Sequence, residues 1–320
     1  MAAIGALNHI LSFLLIIFAV DAQRIAEKKC QEYRNLTVIR TGIIPLIARP
    51  VAIVHEEFNC SNTVDVIVGG EEAHEGEFPH QALLGWKSLD YATEYVFLCG
   101  AVLVSEWFVM TAGHCIVEGE RGKPAVVRLG EHDLDNEFDH AVDFDVDRVV
   151  RHPLYKASSV YNDIALVKVK RDVRFSPYIR PACLWTSETI NYTLAIATGF
   201  GQLGFLVEPA RKLNKVKLEI FESWKCDRAF ERNRKFRNGM VASQICAGSE
   251  GNRDTCKGDS GGPLQVMVEE KGCTYHVVGL TSRGQDACGW MNPLAIYTRV
   301  SSFVSWIEWV VWGEDWVAWE

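Results

Sequence analysis

Three features are missing from this sequence of 320 residues, and each absence disfavours a class of protein. No two cysteines stand in a Cys-x-x-Cys spacing, which disfavours a zinc site built from such pairs. No apolar run reaches the length of about 20 residues that a membrane-spanning helix needs. There is also no excess of basic residues. The formal net charge is −8, so nucleic acid is not expected as a partner.

The N-terminus has the pattern of a secretory signal. Ile10 to Val20 is apolar apart from Ser12, and small residues follow up to Ala22. We interpret residues 1–22 as a signal peptide that is cleaved after Ala22. The alternative is a buried N-terminal helix, because no Lys or Arg precedes the apolar run. The pattern predicts a secreted, extracellular protein without a membrane anchor.

The chain has ten cysteines, an even number in a sequence that carries an export signal. Such a set predicts a disulfide framework rather than a metal site. Cys30 and Cys60 lie in residues 23–66, a segment too short to bury a core of its own, which we interpret as a pro-region or linker. Asn35 and Asn191 begin sequons for N-glycosylation.

From Ile67 onward the pattern indicates β-structure. Short runs rich in Val, Ile, Leu and aromatic residues recur between Gly, Pro, Asn and Asp. This pattern is typical of an all-β sandwich or barrel. The only convincing helical spacing occurs near the C-terminus, from Ser302 to about Val311, so we expect a single helix there.

One glycine-rich stretch, from Lys257 to Pro263, contains a candidate nucleophile. Ser260 lies between Asp259 and two glycines, which let backbone segments approach closely and leave N–H groups accessible. A hydroxyl beside accessible N–H groups suits acyl transfer, which needs a nucleophile and a site for the oxyanion. Serine alone is a weak nucleophile, so this interpretation requires a base and an orienting acid elsewhere.

Two further motifs offer these groups. His114 follows an apolar run within Thr111-Ala112-Gly113-His114-Cys115, and Asp163 directly precedes another apolar run. Taken singly, each has an ordinary explanation, a structural histidine and an aspartate in a surface turn. Together, in the order His, Asp, Ser, they indicate a nucleophilic triad.

The three motifs resemble those of the trypsin and chymotrypsin-like serine proteases, from Ile67 to about Val311. The resemblance implies an all-β fold of two six-stranded antiparallel β-barrels with a C-terminal α-helix, within a protease domain of residues 67–320. It also implies that Ser260 attacks the peptide carbonyl, that His114 transfers the proton, and that Asp163 orients the imidazole.

The same resemblance implies an oxyanion hole and an activation switch. The N–H groups of Gly258 and Ser260 would bind the oxyanion. Ile67-Val68-Gly69-Gly70 is similar to the mature N-terminus of the family, so cleavage after Val66 would free an ammonium group on Ile67. That ammonium is expected to pair with Asp259 and to order the oxyanion loop.

Substrate preference is also implied by the resemblance. Asp254, six residues before the serine, would bind substrate Arg or Lys at the base of the specificity pocket. Ser282 and Gly284 would line the pocket and bind the substrate backbone. Ala295 replaces a glycine of the pocket wall and Arg283 replaces an aromatic residue, so we expect cleavage after Arg or Lys with altered efficiency. Because Val66 is not basic, the chain is not expected to activate itself.

Family spacing implies several disulfides. The resemblance gives Cys99–Cys115, Cys226–Cys246 and Cys256–Cys288. For the remaining four cysteines we favour Cys60–Cys183, which leaves Cys30–Cys273. Both would keep the pro-region attached after activation.

Further stretches resemble the insect clip-domain proteases of the snake and persephone type. They are Lys29–Tyr33, Gly76–His80, Ile179–Leu184 and Trp306–Glu308. This implies an extracellular cascade in innate immunity or developmental signalling, with a downstream zymogen as protein substrate, an upstream activating protease and a serpin-type inhibitor. A complete clip domain is not expected, because it needs six cysteines and residues 23–66 contain two. The alternatives are a digestive trypsin-like enzyme and a non-catalytic homologue that acts as a binding module.

No cofactor is required by this chemistry. Acidic residues from Glu131 to Asp139 supply enough oxygens for a calcium ion, in a loop where some family members bind one. A solvated acidic loop and strand face is the alternative. The metal content is therefore left open by the sequence.

Overall fold

Short antiparallel strands account for most of the regular structure in this computed structural model. It describes residues 23–36, 38–43, 53–58, 71–89, 94–116, 119–136, 139–202, 208–249, 259–268, 274–284 and 293–313. The strands are β1 (Val38–Ile43), β2 (Ile53–Phe58), β3 (Glu71–Glu72), β4 (Gln81–Lys87), β5 (Tyr95–Leu103), β6 (Phe108–Thr111), β7 (Val126–Leu129), β8 (Val142–Arg151), β9 (Ala165–Val169), β10 (Cys183–Leu184), β11 (Leu194–Gly199), β12 (Asn214–Phe221), β13 (Gln244–Gly248), β14 (Pro263–Met267), β15 (Tyr275–Arg283) and β16 (Leu294–Arg299). The helices are α1 (Ile25–Asn35), α2 (Ser223–Phe230) and α3 (Val304–Trp312), with 3₁₀ turns at Gly113–Ile116, Gly119–Arg121 and Val300–Phe303.

Six strands close into a first barrel in the order β4-β5-β6-β9-β8-β7, and β7 pairs back with β4. Its interior is apolar, with Leu84, Leu103 and Val167 fully buried. On β8, acidic residues at alternate positions point outward while Phe144 between them is buried, as the two-residue period of a strand requires. The acidic residues of this stretch that lie on β8 therefore form the solvated face of a barrel strand.

Six further strands close into a second barrel in the order β11-β12-β13-β16-β15-β14, and β14 pairs back with β11. Two short strands extend this sheet: β10 runs parallel to β15, and β3 pairs with β12. The predicted fold of two six-stranded antiparallel barrels is confirmed.

The helices differ in part from the prediction. α3 lies at the C-terminus as expected, with Val304, Ile307 and Val310 buried against the barrels. The expectation of a single helix is wrong, because α1 and α2 are also present. α1 buries Ala26, Cys30 and Tyr33, which share one helical face. None of the helices in these ranges has the length and apolarity needed to cross a membrane.

α1, in the segment interpreted as a pro-region, packs against β10 and α3. A carboxylate on α3 binds its N-terminus: Glu308 accepts a hydrogen bond from the Ala26 N–H at 3.0 Å and pairs with Arg24 at 3.0 Å. Near the other end, Tyr33 donates a hydrogen bond to Glu106 at 3.1 Å. An acid at a helix N-terminus satisfies free N–H groups and interacts favourably with the helix dipole.

A disulfide between Cys30 and Cys183 completes this contact, with the two Cα atoms 5.0 Å apart. The predicted pairs Cys60–Cys183 and Cys30–Cys273 are therefore wrong. The reason is the position of α1, which packs beside β10 and brings Cys30 to the first residue of that strand. Cys60 and Cys273 lie outside the described residues.

Two other disulfides in the structure are those that the family spacing implies. Cys99–Cys115 joins β5 to the turn that carries His114, and Cys226–Cys246 joins α2 to β13. Cys256–Cys288 lies outside the described residues and stays a prediction.

A buried ion pair fastens β3 to the second barrel. The Lys215 ammonium group contacts Glu77 at 2.8 Å and Glu71 at 3.0 Å. Only 2% of the Lys215 side chain and 1% of the Glu77 side chain are exposed. A buried charge without its partner is costly, so this contact strongly favours one position of β3.

Candidate active site

His114 and Asp163 emerge from the same end of two neighbouring strands. β6 ends at Thr111, which pairs with Ala165 at the start of β9. The turn after β6 carries His114, and Asp163 lies just before β9. The register of β6 and β9 therefore places two residues that are far apart in sequence side by side.

The Asp163 carboxylate accepts three hydrogen bonds. The His114 ring donates from Nδ1 to Oδ2 at 2.8 Å, and the His114 main-chain N–H donates to Oδ1 at 2.8 Å. The Ser282 hydroxyl, on β15, donates to Oδ2 at 2.5 Å. Thr298, on β16, donates to the Asp163 carbonyl at 2.8 Å. The acid of the first barrel is thus held in part by the second barrel. Sequence reasoning missed these roles of Ser282 and Thr298, and no local motif indicates them.

The electrostatics of the pair favour ionised Asp163 beside His114. Burial would raise the pKa of Asp163, but the His114 charge and the hydrogen bonds outweigh it and hold that pKa below its ordinary value. Burial would lower the pKa of His114, yet Asp163 raises it above its ordinary value, against the opposing charges of Lys235 and Arg283. With Nδ1 bound to the carboxylate, Nε2 is the nitrogen left to exchange a proton.

Ser260 lies in the turn that leads into β14, opposite the histidine. Its carbonyl accepts a hydrogen bond from the Gly100 N–H of β5 at 2.8 Å, and the Cys115 sulfur lies 3.6 Å from the same oxygen. Ser260 and His114 line one cleft of about 1130 Å³. The structure therefore brings the three predicted triad positions to the junction of the barrels.

The glycine after the serine is required by this geometry. Gly261 has a positive φ of 78°, which costs little only for glycine. A Cβ there would collide with the Thr111 hydroxyl and would lie 2.6 Å from the Gly100 carbonyl oxygen. Only a residue without a side chain allows the serine turn to approach β5 and β6 so closely.

Asp259 points away from the histidine into a separate buried site. Its carboxylate accepts a hydrogen bond from the Gly201 N–H at 2.8 Å. It also fills the space where a Cβ on Gly199 or Gly201 would lie. Neighbouring residues of one motif thus occupy different environments, Ser260 at the cleft and Asp259 beneath it.

The predicted specificity residues in the described ranges lie near the end of β15 and on β16. Ser282 and Arg283 end β15, and Gly284 follows directly. Ala295 is fully buried among apolar residues of the second barrel. Asp254, Gly258, Val66 and Ile67 lie outside the described residues, so their roles in substrate binding, oxyanion binding and activation stay predictions.

The described carboxylates of the acidic loop suggested for calcium contact protein groups. Asp139 accepts main-chain hydrogen bonds from His132, Asp133 and His140. Asp135 is bound by an arginine. Burial, together with the hydrogen bond to Asp139, raises the pKa of Glu131 to about 7. Among the described residues of this loop, no three carboxylates converge on one point. Glu137 of the same loop lies outside the described residues, so calcium stays a prediction.

Two antiparallel barrels with a His–Asp pair and a serine at their junction define the class of chymotrypsin-like serine proteases. The family model named Trypsin matches residues 67–307, so the chain belongs to the trypsin family. Serine protease snk of Drosophila melanogaster is 38% identical over 296 residues, covering 90% of this chain and 65% of that protein.

Two other known proteins are similar to this chain. The Spaetzle-processing enzyme of Drosophila melanogaster is 34% identical over 269 residues, covering 76% of this chain and 66% of that protein. The chain thus spans slightly less than two thirds of either fly relative. The solved structure of mouse neuropsin, a serine protease, has a TM-score of 0.61 at 28% identity, covering 76% of this chain and 98% of that chain. The predicted resemblance to insect serine proteases is confirmed.

Proposed function

We propose that the chain is a secreted serine endopeptidase zymogen that is activated by cleavage after Val66 and hydrolyses protein substrates after Arg or Lys. The observation that carries this proposal is the Asp163–His114 hydrogen bond facing a cleft that Ser260 also lines. On this view residues 1–22 are a signal peptide, residues 23–66 a pro-region and residues 67–320 the protease domain.

The geometry supports a covalent mechanism. The Nδ1–H group of His114 donates a hydrogen bond to the Asp163 carboxylate, so the unprotonated Nε2 has a lone pair that accepts the Ser260 proton. The Ser260 oxygen bonds to the substrate carbonyl carbon, and the proton passes through Nε2 to the leaving amine as the C–N bond breaks. Water then hydrolyses the acyl-enzyme, and the serine regains its proton. The N–H groups of Gly258 and Ser260 bind the oxyanion.

The choice of Arg or Lys before the cleaved bond rests on Asp254. A carboxylate in a partly desolvated pocket pairs with a guanidinium or ammonium group. Ser282 is now less available to substrate, because its hydroxyl is bound to Asp163. Ala295 and Arg283 modify the pocket and reduce efficiency relative to a glycine and an aromatic residue at these positions.

Activation depends on Asp259. In the proposal the ammonium group freed on Ile67 joins the Gly201 N–H in binding this buried carboxylate, and the oxyanion loop becomes ordered. Because Asp254 selects a basic residue, the bond after Val66 is left to a different protease. Self-processing of the purified zymogen at Val66, abolished by Ser260→Ala, contradicts this part of the proposal.

The extracellular location is supported by the disulfides in the structure, since such bonds persist in oxidising compartments. Asn35 and Asn191 are both exposed, as glycan acceptors must be. A relative named for processing Spaetzle supports a role in a proteolytic cascade. The partners are then a downstream zymogen, an upstream protease and a serpin-type inhibitor.

The test is a cleavage panel with the zymogen cut before Ile67. Peptides that differ only in the residue before the cleaved bond, Arg, Lys, Phe or Ala, are compared by kcat/KM. The proposal predicts turnover of the Arg and Lys peptides and loss of this turnover in Ser260→Ala. Equal or better turnover of Phe or Ala contradicts the specificity, and no turnover contradicts the enzymatic function.

A further inference from the structure

An exposed loop between α2 and β13 carries a concentration of positive charge. We call residues 231–239 the basic loop. Its four basic side chains are all exposed, and they belong to Arg232, Arg234, Lys235 and Arg237. Its one acid is Glu231. No carboxylate in the described part of the chain pairs with any of the four, although the protein as a whole has a net charge of −8.

The basic loop is fixed to the segment that leads into Asp163. Phe236 is buried between Phe230 and Tyr161, with ring centroids 6.0 and 6.3 Å away. The Tyr161 hydroxyl donates to the Gly239 carbonyl at 3.0 Å, and the Val160 N–H donates to the Lys235 carbonyl at 3.3 Å. The charges therefore stand on an anchored loop rather than on a free one.

Two of the cations lie on segments that contact the Asp163 region: the Lys235 carbonyl accepts a hydrogen bond from Val160, and Arg283 directly follows Ser282, which is bound to Asp163. The positive charges of Lys235 and Arg283 both lower the pKa of His114, against the effect of Asp163. They come from different elements, the basic loop and the end of β15. This flank of the active site is thus positively charged from two sides.

The cleft on the other side of Ser260 differs from the basic loop in its charge. The cleft beside Ser260 is lined by apolar residues such as Phe97 and Phe200, and its arginines are matched by acids. Arg128 contacts Asp143 at 2.7 Å, and Arg211 contacts Asp135. Among the described residues, the arginines of this cleft are therefore paired with acids, whereas the four cations of the basic loop are not.

We propose that the basic loop and Arg283 form a subsite for acidic side chains of the protein substrate, on the amino-terminal side of the cleaved bond. This inference rests on the proposed function and on the family resemblance, which implies that substrate backbone binds along Ser282 and Gly284. Carboxylates there meet Lys and Arg at the exposed rim, where charge complementarity mainly steers and orients the partner. Because the rest of the chain is acidic, the basic loop also selects the orientation in which an acidic segment approaches.

The test compares two peptides that share Arg before the cleaved bond. One has Glu and the other Gln at the third and fourth positions before that bond. The enzyme is the full chain with residues 62–66 replaced by an enteropeptidase recognition sequence, cut before Ile67. The variant Arg234→Gln/Lys235→Gln is compared with Lys28→Gln/Arg174→Gln. The control removes the same charge from exposed residues on α1 and after β9.

For the wild type and the control we expect kcat/KM to be about fivefold higher for the Glu peptide at low ionic strength, as for exposed charge pairs. The preference falls at high ionic strength. In the Arg234→Gln/Lys235→Gln variant the ratio falls towards one, while thermal unfolding and labelling by a serine-directed phosphonate show that it is folded.

Equal turnover of both peptides by the wild type overturns this inference alone, and so does an unchanged ratio in the variant. No turnover of either peptide contradicts the proposed function and this inference with it. If the variant loses binding to heparin but keeps the wild-type peptide ratio, the basic loop is a polysaccharide site and the inference is wrong.

Discussion

Replacing Asp163 with asparagine removes a single charge and tests the geometry of the site. The carboxylate accepts hydrogen bonds from the His114 ring, the His114 main chain and Ser282. An amide has one oxygen and one NH₂ group, so it cannot accept all three. Its NH₂ group would face Nδ1 and place the imidazole proton on Nε2, which can then no longer accept the serine proton.

The expected loss in kcat is about 10⁴-fold, the effect of a wrong imidazole tautomer in a triad of this kind. The pH dependence changes as well. Asp163 now raises the pKa of His114 above its ordinary value of 6.5, whereas burial, Lys235 and Arg283 lower it. Activity needs neutral His114, so the wild-type rate rises with pH through a value above 6.5. Without the carboxylate only the lowering effects remain, and the residual rate rises at lower pH.

The assay is kcat/KM on an Arg peptide between about pH 5 and pH 9, with the activated wild type and Asp163→Asn. Asp227→Asn is the matched control, because Asp227 is partly buried and accepts the Met240 N–H at 2.6 Å, but lies on α2 outside the cleft. We expect the control to behave as the wild type. An Asp163→Asn enzyme that keeps more than about a tenth of the activity, with an unchanged pH profile, refutes the assigned role of the carboxylate.

Two predictions concern stability, measured by urea unfolding of the zymogen. Gly261→Ala should lower the free energy of unfolding by more than about 2 kcal/mol, because a positive φ is combined with a collision at the Gly100 carbonyl. Gly122→Ala is the control: Gly122 has a similar φ but open space around it, so the loss should be about 1 kcal/mol. Equal losses would contradict the close approach of the Ser260 turn to Gly100. Lys215→Met should lower the free energy of unfolding by about 3 kcal/mol, because it leaves the buried Glu77 carboxylate without its ion-pair partner. Lys212→Met breaks only an exposed pair and should lower the free energy of unfolding much less than Lys215→Met does. The reverse order would contradict the burial of the Lys215 pair.

His114, Asp163 and Ser260 could be selected as candidate triad residues because each lies in a short motif with its own local signal. His114 and Asp163 lie at adjacent ends of the paired strands β6 and β9, and the turn that holds Ser260 requires glycine at position 261. The Ser282 hydrogen bond could not be predicted in this way. It depends on how the second barrel meets the first, and no spacing in the sequence encodes that contact.

The cysteine tether was assigned wrongly because the position of α1 was not foreseen. Ala26, Cys30 and Tyr33 have the spacing of one helical face, a signal that could have revealed the helix. Its docking site is a separate matter, since it depends on Glu308 and on β10, which are far away in sequence. A helix can be recognised from local residues, but its disulfide partner follows from tertiary packing.

The most direct test of the central claim is covalent labelling of the active site. The zymogen is cut before Ile67, treated with a biotinylated phosphonate that carries an Arg-like group, and analysed by peptide mass spectrometry. We expect a single adduct on Ser260 in the cut chain, little in the uncut chain, and none in His114→Ala. Absence of an adduct on Ser260 in the cut, folded chain would contradict the claim that His114, Asp163 and Ser260 form a catalytic triad.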